Sequence, residues 1–403
     1  MSNGATLMAL PDELIEWKYA IRRFVDEELI PHERDAGTRL PAEVLERITP
    51  KVRELGLWAA DVPAEFGGSG LNALEYAIAT EELGRSLFWL DVMEMGAVMA
   101  ALLRGSADQI ERYVKPSVRG ERRGAFGLTE PTGGSDPARA VRTTAVRDGD
   151  EWIINGRKCF ISGADRADHV LVMVSTERDK GAHGGITCFV VDTDTPGFTI
   201  VRNIPTMGSI WPCELDFTDV RVSDAQRVGE VGEGFILAQQ TLGPQRIGIG
   251  ARALGVCTRL LEMAIDYGRS REVFGQVLGA HGMFQEKLAD CATELEACRW
   301  FVYRAAAEVD RGADTRTLES MVKVYASELV TRVADKVLQV HGGWGYSQDL
   351  PIERMYRDHR MWRIVEGPNE VHRMVIARRL LAGGMSELEQ PRTRPAVGTF
   401  ANA

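Results

Sequence analysis

Cysteine is sparse and scattered in this chain. The six cysteines are Cys159, Cys188, Cys213, Cys257, Cys291 and Cys298. Metal sites and disulfide frameworks are typically built from closely spaced cysteines, often with histidine nearby, and this chain has no C-x-x-C motif. The spacing therefore argues against a zinc site and against a disulfide-stapled fold, and we expect no bound metal.

Long apolar runs and an excess of basic residues are also missing. No segment approaches the ~20 consecutive apolar residues that span a bilayer, and residues 1–5 lack the basic region and apolar core of a secretory signal. The net charge of −10 comes with interspersed Arg and Glu and without a basic stripe. We therefore expect a cytoplasmic protein that binds neither membrane nor nucleic acid.

The periodicity of apolar residues changes twice along the 403 residues and predicts a mixed α+β chain. Residues 1–125 follow a helical pattern, residues 126–235 contain strands and turns, and residues 236–385 are helical again, with few breakers between residues 284 and 340. Residues 386–403 contain prolines and few apolar residues, which predicts a disordered tail.

The strand signal in the middle region comes from short segments rich in β-branched and aromatic residues, separated by turn residues. The segments are 141–146, 152–154, 170–174, 186–191 and 198–201. Asn155-Gly156 is a dipeptide that favours a two-residue hairpin turn. We therefore expect a β-hairpin at that dipeptide.

Glu366 is the acid with the most informative surroundings. It follows the apolar residues Ile364 and Val365 and precedes a Gly-Pro pair at 367–368 that favours a helix start. A carboxylate at such a junction is expected to be partly desolvated, which raises its pKa and suits it to act as a general base. The same position fits an acid that only caps the next helix. The residue pattern alone leaves both interpretations open.

Four sequence motifs together resemble one family. Residues 363–373, RIVEGPNEVHR, resemble the catalytic-glutamate loop of the acyl-CoA dehydrogenase family. Residues 126–136, FGLTEPTGGSD, resemble its flavin and substrate loop, residues 270–275, SREVFG, its R-x-x-F-G motif, and residues 339–346, QVHGGWGY, its Q-x-x-G-G loop. The motifs occur in the family's order and spacing, and the GPNEVH spelling resembles the branch with a GP[ND]EVH catalytic loop.

The resemblance implies a fold and a reaction. The fold is an N-terminal helical domain, a middle β-barrel domain and a C-terminal four-helix bundle, divided at the boundaries given above. The reaction is an FAD-dependent α,β-desaturation of an acyl-CoA thioester, in which Glu366 takes the proton from Cα and flavin N5 takes the hydride from Cβ. The resemblance also implies an electron-transferring flavoprotein as electron acceptor and a homo-oligomer, either a dimer or a tetramer.

The resemblance further assigns FAD-binding positions, which by their residue types alone fit strand core and simple turns. Those along the isoalloxazine ring and the pyrophosphate are Phe126, Leu128, Thr129, Ser135, Phe160 and Ser162. Those matching contacts to the FAD of a neighbouring subunit are Arg271, Phe274, Gln339, Gly342 and Gly343, and the catalytic loop adds Pro368 and Glu370.

Substrate contacts are implied for Ser135, Arg246 and Gly367. Some relatives carry the base at the position of Gln245, but an amide cannot accept the proton, so Glu366 is the candidate. From the residues alone, Gln245 and Arg246 fit a helix that opens after a Gly-Pro pair and faces solvent.

Residues 248–253, GIGARA, fit the G-x-G-x-x-A fingerprint of nicotinamide-cofactor proteins. The fingerprint requires a preceding strand, and here a Gly-Pro-Gln-Arg stretch precedes it. The segment therefore fits better as a helix that uses small residues at a close helix crossing.

Three functions remain open. The first is a dehydrogenase, the second an acyl-CoA oxidase or flavin-dependent lyase on the same fold, and the third a non-catalytic acyl-CoA or FAD binding protein. Glu366 disfavours the third and any lyase without a base, but not an oxidase, because oxygen access depends on packing. The acyl chain is not defined: Met93, Met95, Met99 and Leu102 fit an apolar tunnel and equally an ordinary helix core.

Overall fold

The computed structural model describes residues 10–34 and 37–389, so most of the expected disordered tail lies outside the described residues. The chain divides into two compact units. The first comprises Met1–Leu55, Leu71–Val92 and Pro244–Ala403, and the second comprises Gly56–Gly70 and Met93–Gly243. The three-domain division at residues 125, 235 and 385 stays a prediction.

The described α-helices are numbered in chain order. They are α1 (Asp12–Phe24), α2 (Ala42–Glu54), α3 (Ala73–Leu83), α4 (Trp89–Met93), α5 (Ala107–Gln109), α6 (Lys115–Arg119), α7 (Pro137–Ala140), α8 (Gly234–Ser270), α9 (Gly282–Asp310), α10 (Arg316–His341), α11 (Gly343–Tyr346), α12 (Ile352–His359), α13 (Asn369–Gly383) and α14 (Ser386–Glu389). None of these helices is long and apolar enough to cross a bilayer.

The strands are numbered in the same way. They are β1 (Gly124–Gly127), β2 (Thr144–Asp148), β3 (Glu151–Ile161), β4 (His169–Ser175), β5 (Ile186–Asp192), β6 (Phe198–Asn203), β7 (Cys213–Ser223), β8 (Arg227–Val228), β9 (Glu272–Val273) and β10 (Gln276–Val277). The predicted strand segments all fall on or next to observed strands, whereas β1, β7, β8, β9 and β10 were not predicted.

The first unit is a helical bundle built around α10. This helix packs against α9, α12 and α13, and α3 packs against both α1 and α9. The helices bury one apolar core, in which Leu254, Val302 and Val330 are fully buried. Burial of apolar surface on this scale is the main stabilising contribution to such a bundle.

A buried ion cluster joins three helices of this bundle. Lys18 Nζ on α1 donates to Glu81 Oε1 on α3 at 2.9 Å, and Arg299 Nε on α9 donates to the same oxygen at 3.0 Å. Burial favours the neutral form of Glu81, but the two cations outweigh it and lower the pKa of this carboxyl. The carboxylate is therefore ionised and links α1, α3 and α9.

The second unit contains one eight-stranded sheet in the order β6-β7-β3-β2-β4-β5-β8, with β1 paired in parallel to β4. A ladder between β6 and β8, which would close a barrel, does not occur among the described strands. Strands β4 and β5 are buried along their whole length, so they form the centre of this unit.

The predicted hairpin turn at Asn155-Gly156 is wrong. Both residues lie inside β3, and the chain between β2 and β3 turns at Gly149, which has φ +64°. The positive φ that Asn-Gly tolerates serves a bulge instead: the β3–β7 register shifts between Ile154 and Gly156. A Cβ at Gly156 would lie 2.6 Å from Thr143 Cα, so this position requires glycine.

The first residues of the expected disordered tail are ordered. Ser386–Glu389 forms α14, and the Glu387 carboxylate accepts a hydrogen bond at 3.0 Å from Arg379 Nε. The composition of the tail could not predict this contact, because the contact depends on Arg379 of α13. The remainder of the predicted tail, residues 390–403, lies outside the described residues.

Candidate active site

Glu366 lies between a short turn of helix at Arg360–Arg363 and the start of α13. Its φ is +56°, a conformation that costs free energy for any residue with a Cβ, and Gly367 follows with φ +91°. A Cβ on Gly367 would lie 3.1 Å from His372 Nε2. The Glu-Gly pair is therefore a strained junction that places one carboxylate, and the Gly-Pro helix start predicted from the sequence is confirmed.

The carboxylate of Glu366 is desolvated. Its Oε2 atom is fully buried and has no hydrogen-bond partner among the described residues. Burial raises the pKa of this carboxyl, and the charges of Arg252, Arg246 and Lys323 oppose the shift without cancelling it. Of the two apolar neighbours expected to desolvate it, Val365 is partly buried against the core of the first unit, whereas Ile364 is 61% exposed.

The buried side chain of His372 holds the backbone carbonyl of Glu366. The Nε2 of His372 lies 3.0 Å from the Glu366 carbonyl oxygen, and its Nδ1 lies 3.1 Å from Ser320 Oγ. A carbonyl only accepts, so Nε2 carries the proton and Nδ1 accepts from the Ser320 hydroxyl. Burial, together with the Arg246 charge, lowers the pKa of His372 to about 4. The imidazole is therefore neutral and has a fixed tautomer.

Lys323 of α10 holds the next carbonyl. Its Nζ donates to the Gly367 oxygen at 2.6 Å and to Asn369 Oδ1 at 2.8 Å. The Asn369 amide in turn donates to Ser327 and to Glu328, each at 3.1 Å. Asn369 is therefore buried in this network and does not cap α13 with its side chain. Burial lowers the pKa of Lys323 to about 8.

Arg246 is not at a solvent-facing helix start. It lies inside α8, which runs through Pro244, and its Nη1 lies 3.7 Å from the buried Glu319 Oε2. The GIGARA segment occupies the same helix, as predicted. A Cβ at Gly250 would lie 2.5 Å from Val322 of α10, so the small residue permits a close crossing of two helices.

The second unit holds the other set of predicted flavin residues. Phe160 on β3 has φ +59°, and its ring is 59% exposed, a strained position for an aromatic residue. The neighbouring Cys159 N–H donates to the Thr129 carbonyl at 2.9 Å. Phe126, Leu128 and Thr129 are half-buried beside it, while Ser135 and Ser162 are exposed.

An ion pair fixes this loop to β3. Lys158 Nζ donates to Glu130 Oε1 at 2.6 Å and to the Leu128 carbonyl at 3.2 Å. The Glu130 carboxylate also accepts the backbone N–H groups of Arg142 and Thr143, at 2.7 and 2.9 Å. Both charged side chains are buried, so the pair is fully satisfied and positions residues 128–130.

A surface cavity of about 550 Å³ in the first unit collects three of the residues matched to a neighbouring subunit's FAD. Arg271, Gly342 and Gly343 line it, together with Tyr267 and Trp344. A Cβ at either glycine would meet no atom within 4 Å, so the glycines border open space. A cation beside exposed backbone is a suitable cradle for a pyrophosphate.

Two predicted residues do not line this cavity. Phe274 stands at the tip of the β9–β10 hairpin with φ +49° and is 98% exposed, and Gln339 is exposed near the end of α10. A fully exposed phenylalanine is unusual on a monomer surface and is typical of residues that contact a partner. Pro368 is half-buried and Glu370 exposed at the start of α13.

Each unit by itself offers groups that fit part of a flavin dinucleotide. In the second unit the exposed Phe160 offers an aromatic face. In the first unit the cavity at Arg271 offers a cation and free backbone, and the buried Glu366 Oε2 has no hydrogen-bond partner among the described residues. The sequence motifs did not identify the supporting groups Lys158, Lys323 and His372.

Models of three acyl-CoA dehydrogenase domains match this chain. The N-terminal domain matches residues 11–121, the middle domain residues 125–220, and the C-terminal domain residues 232–381. Together these matches cover most of the chain and confirm the predicted order of helices, β domain and helical bundle.

Individual proteins agree with this assignment. The chain is 36% identical over 397 residues to (R)-benzylsuccinyl-CoA dehydrogenase of Thauera aromatica, which covers 93% of this chain and 97% of that protein. It is 37% identical over 369 residues to the caffeyl-CoA reductase-Etf complex subunit CarC of Acetobacterium woodii. This match covers 89% of this chain and 96% of that protein. The structure of butyryl-CoA dehydrogenase from Megasphaera elsdenii superimposes with a TM-score of 0.84 at 32% identity. The superposition covers 93% of this chain and 99% of that chain.

The fold and the matched domains define a flavoprotein oxidoreductase. The chain belongs to the acyl-CoA dehydrogenase family. The acyl-CoA dehydrogenase function predicted from the sequence is confirmed at this level, and the acyl group on which the protein acts is not fixed by these similarities.

Proposed function

We propose that this protein is an FAD-dependent acyl-CoA dehydrogenase in which Glu366 is the catalytic base. The observation that carries the proposal is the buried, unpartnered Oε2 of Glu366 at a strained Glu-Gly junction. An unsatisfied buried acid destabilises the fold, so its presence is best explained by a role in chemistry.

The desolvated carboxylate suits proton abstraction. A proton on carbon next to a thioester is weakly acidic, so the base must be strong and close to Cα. Burial raises the pKa of Glu366 and therefore its basicity, while Arg252, Arg246 and Lys323 keep the ionised form accessible. The acid limb of the pH–rate profile should report this pKa.

The backbone at Glu366 supports the developing charge on the thioester oxygen. The proposal assigns the Glu366 N–H as a donor to that oxygen, and such donors are usually among the largest contributions to catalysis. His372 and Lys323 fix the carbonyl groups of Glu366 and Gly367, at 3.0 and 2.6 Å. The network therefore restrains the loop that presents both the base and the N–H group.

The cofactor proposed for both units is FAD, which supplies the hydride acceptor when bound. In the second unit Phe160 would contact the ring system, and Thr129, Ser135 and Ser162 would address its polar edges. In the first unit Arg271 would pair with the pyrophosphate of a neighbouring subunit's FAD, and Gly342 and Gly343 would leave room for it. Remaining assignments are Phe126, Leu128, Phe274, Gln339, Pro368 and Glu370 for FAD and Arg246 and Gly367 for the acyl-CoA.

The proposed partners are an electron-transferring flavoprotein and further copies of this chain. The relative from Acetobacterium woodii is named as a subunit of an Etf complex, which supports the first. The fully exposed Phe274 beside the Arg271 cavity supports the second, because a neighbouring subunit would cover it. The proposed assembly is a dimer or a tetramer.

An anaerobic titration tests the proposed function. Saturated acyl-CoAs are added to the purified FAD-loaded protein, and loss of the flavin absorbance in the visible range is followed. The wild-type protein should bleach, and the Glu366→Gln variant should bind the same thioester without bleaching, with a rate loss of ~10²–10⁴-fold or more. Glu286→Gln, an exposed acid on α9, is the matched control.

The other functions give different results. Rapid return of the flavin colour in air together with peroxide would identify an acyl-CoA oxidase. Absence of bleaching with any thioester, despite bound FAD, would overturn the dehydrogenase proposal and favour a lyase or a binding protein.

A further inference from the structure

Arg252 is a buried cation that lacks an anionic partner. It lies on α8 and is 7% exposed. Among the described residues it makes no hydrogen bond or ion pair, and its Nε is fully buried without an acceptor. A guanidinium taken out of water loses strong hydration, so buried arginines are normally paired with carboxylates.

Two tryptophan rings lie close to this guanidinium. Its Cζ lies 4.7 Å from the ring centroid of Trp89 and 5.9 Å from that of Trp362, and the two rings are inclined to each other by 72°. Cation–π contacts of this kind stabilise a desolvated arginine. The N–H groups point outward in the guanidinium plane, where no acceptor meets them. The arrangement orients the arginine and leaves its donors available.

The same part of the first unit contains Glu366. Arg252 and Glu366 interact electrostatically, and among the described residues no ion pair within 4.0 Å joins them. The nearby His359 bonds through Nδ1 to the Met355 carbonyl and supplies no anion. The Arg252 Nε and the Glu366 Oε2 are both buried, and neither has a hydrogen-bond partner in the described part of the chain. A ligand between them would supply the missing acceptor.

We propose that Arg252 binds a carboxylate carried by the acyl group, so that the preferred substrate class is the coenzyme A monothioester of a dicarboxylic acid. This inference rests on the proposed function, because it places the acyl group between Arg252 and Glu366. The contacts with Trp89 and Trp362 restrain the guanidinium. Two of its in-plane N–H groups would donate to the carboxylate oxygens in the bidentate geometry typical of arginine.

Matched pairs of thioesters test the proposal. Butyryl-, pentanoyl- and hexanoyl-CoA are compared with succinyl-, glutaryl- and adipyl-CoA, and kcat/KM is measured for each. At least one dicarboxylic thioester should exceed its neutral partner by about 10-fold or more, given the strength of charge-assisted hydrogen bonds. Arg252→Met should abolish that advantage, which is measured as the ratio of kcat/KM within each matched pair because the Arg252 charge also acts on Glu366 and so on the turnover of both thioesters.

Arg252→Lys keeps the charge and serves as a second variant. It should recover part of the preference, whereas Arg269→Met, an exposed position on the same helix, should not alter it. Calorimetric binding of the same thioesters to Glu366→Gln, with and without Arg252→Met, separates binding from turnover. The dicarboxylic thioester should lose affinity selectively, about 10- to 100-fold.

The outcomes distinguish the two proposals. If neutral thioesters bleach the flavin and dicarboxylic ones do not bind better, the proposed function stands and the Arg252 assignment is overturned. An equal effect of Arg252→Met on both series also overturns it, since that pattern indicates a structural cation. If neither series bleaches the flavin, the proposed function falls and this inference falls with it.

Discussion

The imidazole Nε2 of His372 lies 3.0 Å from the backbone carbonyl of Glu366, six residues earlier in the chain. The contact closes the catalytic loop onto the first turns of α13. Because the imidazole is buried and its pKa is lowered to about 4, it remains a neutral N–H donor throughout the physiological range. His372 is therefore a positioning residue for Glu366, the proposed base.

Replacing His372 with alanine should reduce kcat by about 10-fold, because a buried carbonyl loses its donor and the loop gains freedom. KM should change little, since the side chain contacts the backbone and not the ligand. His372→Asn, which offers an N–H at a similar position, should recover part of the rate. An equal fall in kcat and substrate affinity would argue against a positioning role.

Lys323→Met should lower both stability and kcat. The substitution removes the donor to the Gly367 carbonyl and to Asn369, at 2.6 and 2.8 Å, so two buried acceptors lose a partner. The free energy of unfolding, measured in urea, should fall by about 2–4 kcal/mol. Lys180→Met, at an exposed lysine, is the control and should change neither quantity.

Arg246→Gln should move the acid limb of the kcat profile to higher pH. The base must be ionised, so activity is lost as pH falls through the pKa of Glu366. Burial raises that pKa and the charge of Arg246 lowers it, so removing the charge raises it further. An exposed arginine on the same helix, changed in Arg269→Gln, is the control. A limb that stays in place or moves to lower pH would contradict this electrostatic account.

The Glu130–Lys158 pair should show strong coupling in a double-mutant cycle. Lys158→Met leaves a buried carboxylate without its cation and should lower the free energy of unfolding by about 3–5 kcal/mol. Adding Glu130→Gln should recover part of the loss, because the neutral amide tolerates burial better. The exposed Arg221–Asp148 pair provides a comparison cycle in which no coupling is expected. Additive losses at Glu130 and Lys158 would show that the pair is not coupled.

The sequence predicted the helix-strand-helix order, five of the ten described strands and the junction at Glu366, because these depend on local periodicity and on Gly-Pro chemistry. It misplaced the turn at Asn155-Gly156, since a positive φ serves a bulge as well as a hairpin. Gly149, with the same conformational freedom, forms the turn instead.

The support of the site could not be predicted from the sequence. Lys323 and Arg252 appear in the sequence as ordinary helical cations, and only tertiary packing buries them against Gly367 and Trp89. Asn369 has the residue type of a helix cap, yet Lys323 and Ser327 draw its side chain inward. Such partners lie on distant segments, so no local spacing reveals them.

The left-handed backbone at Glu366 implies a trade-off between thermal stability and turnover at this one position. With φ at +56°, the position would be relaxed by glycine, which carries neither the strained Cβ nor the buried carboxylate. Laboratory evolution under thermal selection alone should therefore enrich glycine at residue 366 and yield hardier, inactive proteins. A glutamate at this position is thus the costlier choice for stability, which is the expected trade-off where a strained residue serves the proposed catalysis.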